Sequence, residues 1–276
     1  MMTNITIVTA FYDIGRGDWS TTVEKNGGPL PHYLQRSTQK YLEHFKRMGQ
    51  MGNDIVAFTS PDLVDVLKDA VPKAKVIGYD YFTYHDTLRK QIESVQTNQE
   101  FVRKINPYQV RNPEYWSKDY VGVTSLKAYF VNQAFLRGLI KTELASWVDF
   151  GYCRDEDHIP VNGVWDFDFN KEKIHFFNYR EPDMKDPSMS ITDAVLNNNV
   201  YIIGGVFVAA ADNWNTLSNW MERSLQLLIS QNFVDDDQGL LLMAYYQNPN
   251  LFQLHNMPLD APLEDVRSIL RKYNKV

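Results

Sequence analysis

Three short apolar runs alternate with helix-like segments in the first 78 residues, and this alternation constrains the fold more than any other feature. The β-branched, apolar runs are residues 4–10, 54–58 and 74–78. Between them, residues 32–49 carry apolar side chains at helical spacing, and a second helical segment, residues 62–71, ends before Pro72. Parallel strands need such helical crossovers. The pattern predicts an α/β chain with a mixed, mainly parallel sheet flanked by helices.

The remainder of the chain continues the same alternation. Residues 81–105 are predicted to be mostly helical and residues 107–120 irregular. Further predicted helices are residues 123–140, 214–230, 238–246 and 263–273, and further predicted strands are residues 145–150, 200–211 and 251–255. Alternation over residues 164–177 predicts a hairpin with its turn at Asn170 and Lys171. No repeat or linker interrupts the chain, so we expect one domain over residues 1–276.

Composition excludes several classes of protein. The 276 residues contain a single cysteine, Cys153, so a disulfide scaffold is excluded. No apolar run approaches the roughly 18 residues of a membrane span. A net charge of -6 without a Lys/Arg block argues against nucleic acid as a partner. The first ten residues lack the pattern of a signal peptide, which makes the cytoplasm the expected location.

Ligands of such sheets bind at the carboxyl ends of the parallel strands, and a polar loop follows the first strand there. This loop places Asp13 and Arg16 between small residues, so that the backbone can approach a ligand and Arg16 can hold a phosphate or carboxylate. The glycines do not form a dinucleotide fingerprint. The alternative is a turn in which Asp13 and Arg16 pair with each other.

A second polar segment follows the strand at residues 145–150. Asp149 ends this buried run, and an unpaired buried carboxylate is costly, so we expect a partner such as a ligand hydroxyl, a metal ion or a cation. The alternative is a helix cap or a salt bridge with Arg154.

A third polar segment contains three consecutive acids before a predicted helix. Asp235, Asp236 and Asp237 precede Gln238, and one acid would suffice to complement the helix dipole. Three adjacent carboxylates repel one another, so a cation or sugar hydroxyls at this place explain them better. One of these carboxylates then suits a general base or an electrostatic stabiliser.

Two further groups are candidate metal ligands. Asp166 and Asp168 form a D-x-D pair, but they lie in the predicted hairpin, and we interpret them as unrelated to the site. His255 ends a strand and is the histidine best placed to join an oxygen-rich metal site, but an ordinary edge histidine explains it better. No zinc, P-loop, kinase or nucleophile-elbow motif is present.

Four motifs together resemble a known type of enzyme. They are TIVTAFYDIGRGDW at residues 6–19, SLKAYFV followed by WVDFGYCR at residues 147–154, GGVFVAA at residues 204–210 and DDDQGLL at residues 235–241. The chain resembles GT-A (Rossmann-like) nucleotide-sugar glycosyltransferases and, more narrowly, the bacterial HtrL/YibB family. The resemblance covers almost the whole chain.

The resemblance implies a role for each motif. Donor and nucleotide binding falls to Thr9, Ala10, Phe11, Asp13, Arg16, Ser125, Lys127, Asp149, Gly151, Gly204 and Gly205. Asp236, Asp237 and Gln238 are implied to face the sugar at the reacting carbon. Asp149 matches the first acid of the D-x-D motif of these enzymes, whereas Gly151 replaces the second. A Mn²⁺ or Mg²⁺ cofactor therefore needs another ligand, such as Asp155, Asp157 or His255.

The implied activity is transfer of a sugar from a nucleotide sugar, a uridine diphosphate sugar in the first place, to a saccharide or lipid-linked glycan in bacterial surface polysaccharide or lipopolysaccharide synthesis. The alternatives are an inactive relative that only binds a nucleotide sugar or glycan, and a nucleotidyltransferase. The basic, amphipathic tail at residues 263–273 suits either peripheral contact with the inner membrane or packing on its own domain.

Overall fold

The computed structural model of the chain describes residues 5–19, 34–182, 190–257 and 269–275. Within these ranges a seven-stranded sheet has the order β3-β2-β1-β4-β6-β5-β7. The strands are β1 (Ile5–Phe11), β2 (Ile55–Thr59), β3 (Lys75–Gly78), β4 (Leu144–Val148), β5 (Ile174–Asn178), β6 (Ile202–Ala210) and β7 (Phe252–Asn256). Strand β6 runs antiparallel to both neighbours, and all other neighbouring pairs are parallel. The predicted mixed, mainly parallel sheet is confirmed.

Helices cover both faces of this sheet. They are α1 (Thr38–Met48), α2 (Val64–Ala70), α3 (Tyr81–Tyr84), α4 (Asp86–Gln96), α5 (Gln99–Val102), α6 (Lys118–Ser125), α7 (Lys127–Leu136), α8 (Ile191–Asn197), α9 (Ala211–Ser230), α10 (Asp237–Gln247) and α11 (Ile269–Lys272). Strand β1 is buried along its whole length, and its alternate residues belong to two different cores, Ile7 to one and Val8 to the other. Burial on both faces explains why this strand is continuously apolar rather than alternating.

The first helix begins later than predicted. Residues 35–37 are not helical, and Ser37 caps α1 by accepting a hydrogen bond from the backbone N–H of Lys40 at 3.3 Å. The side-chain oxygen of a serine at this position replaces a missing helical partner, so the helix begins there. Residues 32 and 33 lie outside the described ranges.

The helix predicted over residues 123–140 is two helices, α6 and α7, with a break at Leu126. The hydroxyls of Thr124 and Ser125 donate to carbonyls of their own helix, at 2.9 Å to Tyr120 and 2.9 Å to Gly122, which competes with a continuous ladder. At the other end Gly138 adopts a left-handed φ of 65° and closes α7. The break makes Lys127 the first residue of a new helix.

The predicted hairpin over residues 164–177 is wrong in its first half. Residues 164–170 form no strand; instead, side chains satisfy their backbone, as Trp165 N–H donates to Asn53 Oδ1 at 2.8 Å and Asp166 N–H to Asn274 Oδ1 at 2.8 Å. Strand β5 pairs with the distant β6 and β7. Alternation of apolar residues identified the second strand but not its partners, because pairing across a long sequence separation leaves no local signal.

The described end of the chain packs on the sheet. Ile269 and Leu270 of α11 are fully buried in the core that contains α1. Residues 263–268 of the predicted tail helix lie outside the described ranges. Among the helices that the structure describes, none combines the length and hydropathy that a membrane crossing requires.

Candidate functional site

A cavity of about 430 Å³ opens at the carboxyl ends of β1 and β4. Strand β1 lies between β2 and β4, so the sheet extends from β1 in both directions. A crevice forms between the loops that follow β1 and β4. Asp13 and Arg16 line it from the β1 side, and Asp149 and Gly151 from the β4 side. The volume lies within the range of small-molecule sites.

Lys127 is the central cation of the cavity wall. Its ammonium nitrogen lies 2.9 Å from Asp149 Oδ1 and 2.9 Å from Asp237 Oδ2, and it donates to the Gly204 carbonyl at 2.9 Å. Lysine has three N–H donors, and these three acceptors match that number. Lys127 therefore connects α7, the end of β4, strand β6 and the start of α10 at a single point.

Two adjacent glycines make room for the two acids. A Cβ atom on Gly204 would lie 1.5 Å from Asp237 Oδ2, whereas one on Gly205 would lie 3.7 Å from Asp149 Oδ2. The carboxylate of Asp237 thus occupies the space that a side chain at position 204 would fill, so the need for glycine at this position is steric.

The burial of this cluster controls its protonation. Burial lowers the pKa of Lys127, but the carboxylates of Asp149 and Asp237 outweigh burial and raise it above its ordinary value. Burial, together with the charges of Asp236 and Asp149, raises the pKa of Asp237 to about 7 even though Lys127 opposes the shift. Lys127 is therefore charged at neutral pH.

The acids before α10 are buried rather than solvated. Asp236 caps the helix by accepting the Gln238 backbone N–H at 2.9 Å, and it also accepts the Tyr120 hydroxyl at 3.4 Å. Asp235 and Glu114 are each more than nine-tenths buried, and burial followed by the neighbouring acids raises their pKa values well above the ordinary range. The helix-cap interpretation of the acids therefore holds for Asp236, and all three acids are buried rather than exposed to solvent.

Glu114 supplies a pH-dependent stability that can be measured. Its raised pKa means that, above 4.5, the unfolded chain loses this proton while the folded protein keeps it. The unfolding free energy is expected to fall as pH rises, by up to about 1.4 kcal/mol per pH unit. Glu114→Gln removes this titration, so urea unfolding between about pH 5 and pH 8 should show a flatter profile than the parent. The exposed Glu222→Gln is the control, and equal slopes for Glu114→Gln and the parent would contradict the assignment.

Asp13 and Arg16 do not pair in this structure. Asp13 accepts the Thr38 hydroxyl at 2.7 Å and the Gly15 N–H at 3.0 Å. Arg16 donates to the Tyr41 hydroxyl, and its guanidinium carbon lies 4.8 Å from the centre of the Trp19 ring. Aromatic rings thus hold Arg16 at the cavity without neutralising its charge.

Gly151 lies where the second acid of a D-x-D pair would stand. A Cβ atom there would lie 2.7 Å from Cε1 of Tyr41, so the aromatic ring fills the space. Asp149 is 41% exposed at its side chain, and its Oδ1 already accepts from Lys127 and, at 2.7 Å, from Trp147 Nε1. Among the described residues, no three His, Cys, Asp or Glu side chains are placed to hold one metal ion. At the D-x-D position the described wall therefore offers the predicted Mn²⁺ or Mg²⁺ the single carboxylate of Asp149, and a divalent cofactor stays a prediction.

The predicted site residues separate into three groups. Those on the cavity wall are Ala10, Phe11, Asp13, Arg16, Lys127, Asp149, Gly151, Gly205 and Gln238. Of the described residues that were predicted, those behind the wall are Thr9, Ser125, Gly204, Asp236 and Asp237. His255 lies on β7, separated from β4 by β6 and β5, where its Nε2 lies 2.9 Å from Nδ1 of His175. The structure does not bring His255 to Asp149.

The alternative D-x-D pair is also remote from the cavity. Asp168 forms an ion pair of 2.6 Å with Lys275 near the end of the chain, and Asp166 lies 3.7 Å from the same ammonium. Asp155 caps a short 3₁₀ turn, and Asp157 pairs with Arg271 at 2.8 Å. None of these four described acids lines the cavity.

Sequence reasoning missed several residues of the wall. Arg36, Tyr41, Tyr120 and Arg154 line the cavity, and Glu114 lies buried beside the acids. Arg36 directly precedes Ser37, the cap of α1. The sequence suggests Arg154 only as a partner of Asp149. A basic residue just before a helix and another just after a strand end were the available signals, and only the fold shows that they meet.

The fold and the cavity define an α/β protein with a ligand crevice at the carboxyl ends of parallel strands. The chain belongs to the HtrL/YibB family, since the model of that family, described as a bacterial protein of unknown function, matches residues 3–260. It is also similar to Protein HtrL of Escherichia coli (strain K12), with 38% identity over 258 residues that cover 92% of this chain and 88% of that protein. The family to which the motifs pointed is thereby confirmed.

Proposed function

We propose that the chain is a GT-A type glycosyltransferase that moves a sugar from a nucleotide-sugar donor, a uridine diphosphate sugar in the first place, to a saccharide acceptor. The biological setting that we propose is bacterial surface polysaccharide or lipopolysaccharide synthesis. The observation that carries the proposal is the charged cluster of Lys127, Asp149 and Asp237 at a ligand-sized cavity in the carboxyl-end crevice. Crevices of this kind are where α/β proteins bind nucleotides.

The loop after β1 suits the nucleoside. Ala10 and Phe11 line the cavity at the carboxyl end of β1, and the ring of Phe11 stacks on Phe150 with centroids 4.8 Å apart. Both rings line the cavity and give it an apolar side, and Asp13, also on the wall, offers a carboxylate to ribose or base hydrogen-bond donors. The nucleoside then lies over β1, and its phosphates point toward β4.

Asp149 is the carboxylate that we assign to the reacting sugar. Its Oδ1 is held by Lys127 and Trp147, and its side chain, which lines the cavity, is 41% exposed. In the transfer, the bond from the sugar carbon to the diphosphate oxygen breaks, a bond to the acceptor oxygen forms, and the proton of the acceptor hydroxyl passes to the departing diphosphate and on to water. A carboxylate beside the sugar stabilises the positive charge that develops on the ring.

Asp236 and Asp237, the acids behind the cavity wall, then act through other residues. Asp237 contacts Lys127, and Asp236 caps α10, so both are positioning residues that hold Lys127 and Gln238 in place. Since Lys127 and Gln238 line the cavity, displacement of either acid alters the wall without touching the substrate. This assignment differs from the motif-based expectation that Asp236 and Asp237 face the sugar, and it follows from their burial.

Turnover tests the proposal. Purified protein is incubated with a panel of nucleotide sugars and saccharide acceptors, and release of nucleoside diphosphate and formation of glycoside are measured. Asp149→Asn is expected to lower turnover by about 100-fold or more, because it removes the carboxylate charge at the sugar. Asp168→Asn, in the remote D-x-D pair, is the matched control and is expected to retain the parent rate.

Three other outcomes have definite meanings. Donor binding with no turnover by the parent would favour an inactive binding protein. Pyrophosphate release from a nucleoside triphosphate and a sugar phosphate would favour a nucleotidyltransferase. Turnover that Asp149→Asn leaves unchanged would remove Asp149 from the reaction.

A further inference from the structure

The charges on the cavity wall raise a question about the phosphates of the donor. All three acceptors of Lys127 belong to the protein itself, so its N–H groups are engaged before any ligand arrives. Two negative charges also surround its single positive charge. A diphosphate in this cavity therefore needs other donors, and the wall contains three further cations, Arg16, Arg36 and Arg154.

Two of these arginines border Gly151. Nη1 of Arg36 lies 3.6 Å from the position that a Cβ atom on Gly151 would take. Nε of Arg154 donates to the Gly151 carbonyl at 3.5 Å. The place where a metal-binding carboxylate would stand in a D-x-D pair is therefore flanked by guanidinium groups, which bind anions and repel cations.

Tyr41 ties the third arginine to the same group. The guanidinium carbons of Arg16 and Arg36 lie 5.6 and 5.9 Å from the centre of the Tyr41 ring, so both cations contact the same aromatic ring. Arg36 forms no ion pair with any residue that the structure describes. Its charge is thus not cancelled by a described acid.

The surroundings report the same positive field. His44, on α1, has its pKa lowered to about 4, first by burial and then by the charges of Arg36 and Arg154. The charges of Arg36 and Arg154 therefore lower the pKa of His44 in the same direction as its burial does. The same field favours an anion in the cavity.

We propose that Arg36 and Arg154, with Arg16, form an anion site that binds the diphosphate of the donor without a divalent cation. Guanidinium forks bind phosphate oxygens in pairs of parallel hydrogen bonds, so three guanidinium groups can balance the negative charge of the donor's diphosphate without a metal ion. This inference rests on the proposed function for the identity of the anion. The anion site itself rests only on the cavity and the arginines around Gly151.

Calorimetric titration of uridine diphosphate, with EDTA and separately with MnCl₂, tests the site. The parent is expected to bind with the same affinity in both buffers. Arg36→Gln and Arg154→Gln are each expected to weaken binding by about tenfold or more, because each removes a charge-assisted contact. Arg223→Gln, an exposed arginine on α9, is the matched control and is expected to bind like the parent.

Inorganic pyrophosphate, titrated with EDTA only, separates the anion site from the nucleoside pocket. It is expected to bind and to respond to Arg36→Gln and Arg154→Gln in the same way. The thermal midpoints of all variants show whether a loss of affinity arises from unfolding. Arg36→Lys is a second control, because lysine keeps the positive charge. A variant with an unchanged midpoint and weakened binding supports the site.

Two results would overturn the site: affinity that rises about tenfold or more with manganese, or affinity that both glutamine variants leave unchanged. Each is distinguishable from failure of the proposed function. Metal-free diphosphate binding without sugar transfer would retain the anion site and remove the transferase. Manganese-dependent transfer that Arg36→Gln and Arg154→Gln leave unchanged would retain the transferase and remove the anion site.

Discussion

Lys127→Met is expected to lower the unfolding free energy by about 3–5 kcal/mol, the usual consequence of leaving a buried charge without its partner. Methionine has a similar length but carries no charge. Asp237 is almost fully buried and would lose the ammonium 2.9 Å from its Oδ2. The Gly204 carbonyl would lose its donor as well.

Equilibrium urea unfolding of the parent and the variant measures this loss. The double variant Lys127→Met/Asp237→Asn is expected to recover part of the stability, because the remaining buried group is then neutral. Lys141→Met, at an exposed lysine between α7 and β4, is the control and should change stability by less than about 0.5 kcal/mol. A loss below about 1 kcal/mol for Lys127→Met would show that the pair is not the buried cluster described above.

Gly204→Ala is the second large effect that we expect. The added methyl group would lie 1.5 Å from Asp237 Oδ2, a separation that requires the carboxylate to move. Overpacking of a core costs about 1–3 kcal/mol, and loss of a buried ion partner costs about 3–5 kcal/mol. We therefore expect the unfolding free energy to fall by about 3 kcal/mol or more. The loss is steric, because alanine fits the backbone conformation of a strand.

The neighbouring glycine provides the matched control. A Cβ atom on Gly205 would make ordinary contacts, at 3.7 Å to Asp149 Oδ2 and 3.8 Å to Tyr152. Thermal unfolding of Gly204→Ala and Gly205→Ala should thus differ strongly, although the two substitutions are chemically identical and adjacent in β6. Equal midpoints would contradict the placement of Asp237 against Gly204.

Local sequence signals predicted the elements of the fold where burial and turn chemistry agree. The runs that became β1, β2 and β3 are β-branched and separated by helical segments, so both the strands and their parallel direction could be predicted. The hairpin at residues 164–177 was wrong because its alternation fitted a local partner, whereas β5 pairs with β6 and β7. Pairing partners depend on tertiary packing, which a local pattern does not contain.

Only part of the candidate site could be predicted from local sequence signals. Asp149 and Arg16 each follow an apolar strand, and the carboxyl ends of neighbouring parallel strands meet, so their proximity could be predicted. Arg36 and Arg154 are 118 residues apart in sequence and meet at Gly151 only because α1 packs beside the end of β4. Burial of Glu114 had no periodic signal, since it lies in a short 3₁₀ turn between Pro113 and Tyr115.

Thermal unfolding of the parent with a panel of nucleotide sugars and nucleoside diphosphates tests the central claim most directly. A ligand that binds only the folded state stabilises it by about 2.7 kcal/mol at a hundred times its dissociation constant. We predict that one nucleotide sugar raises the midpoint in EDTA, and that Arg154→Gln reduces this rise while Arg223→Gln does not. No rise with any nucleotide, at concentrations far above ordinary dissociation constants, would contradict a donor site in this cavity.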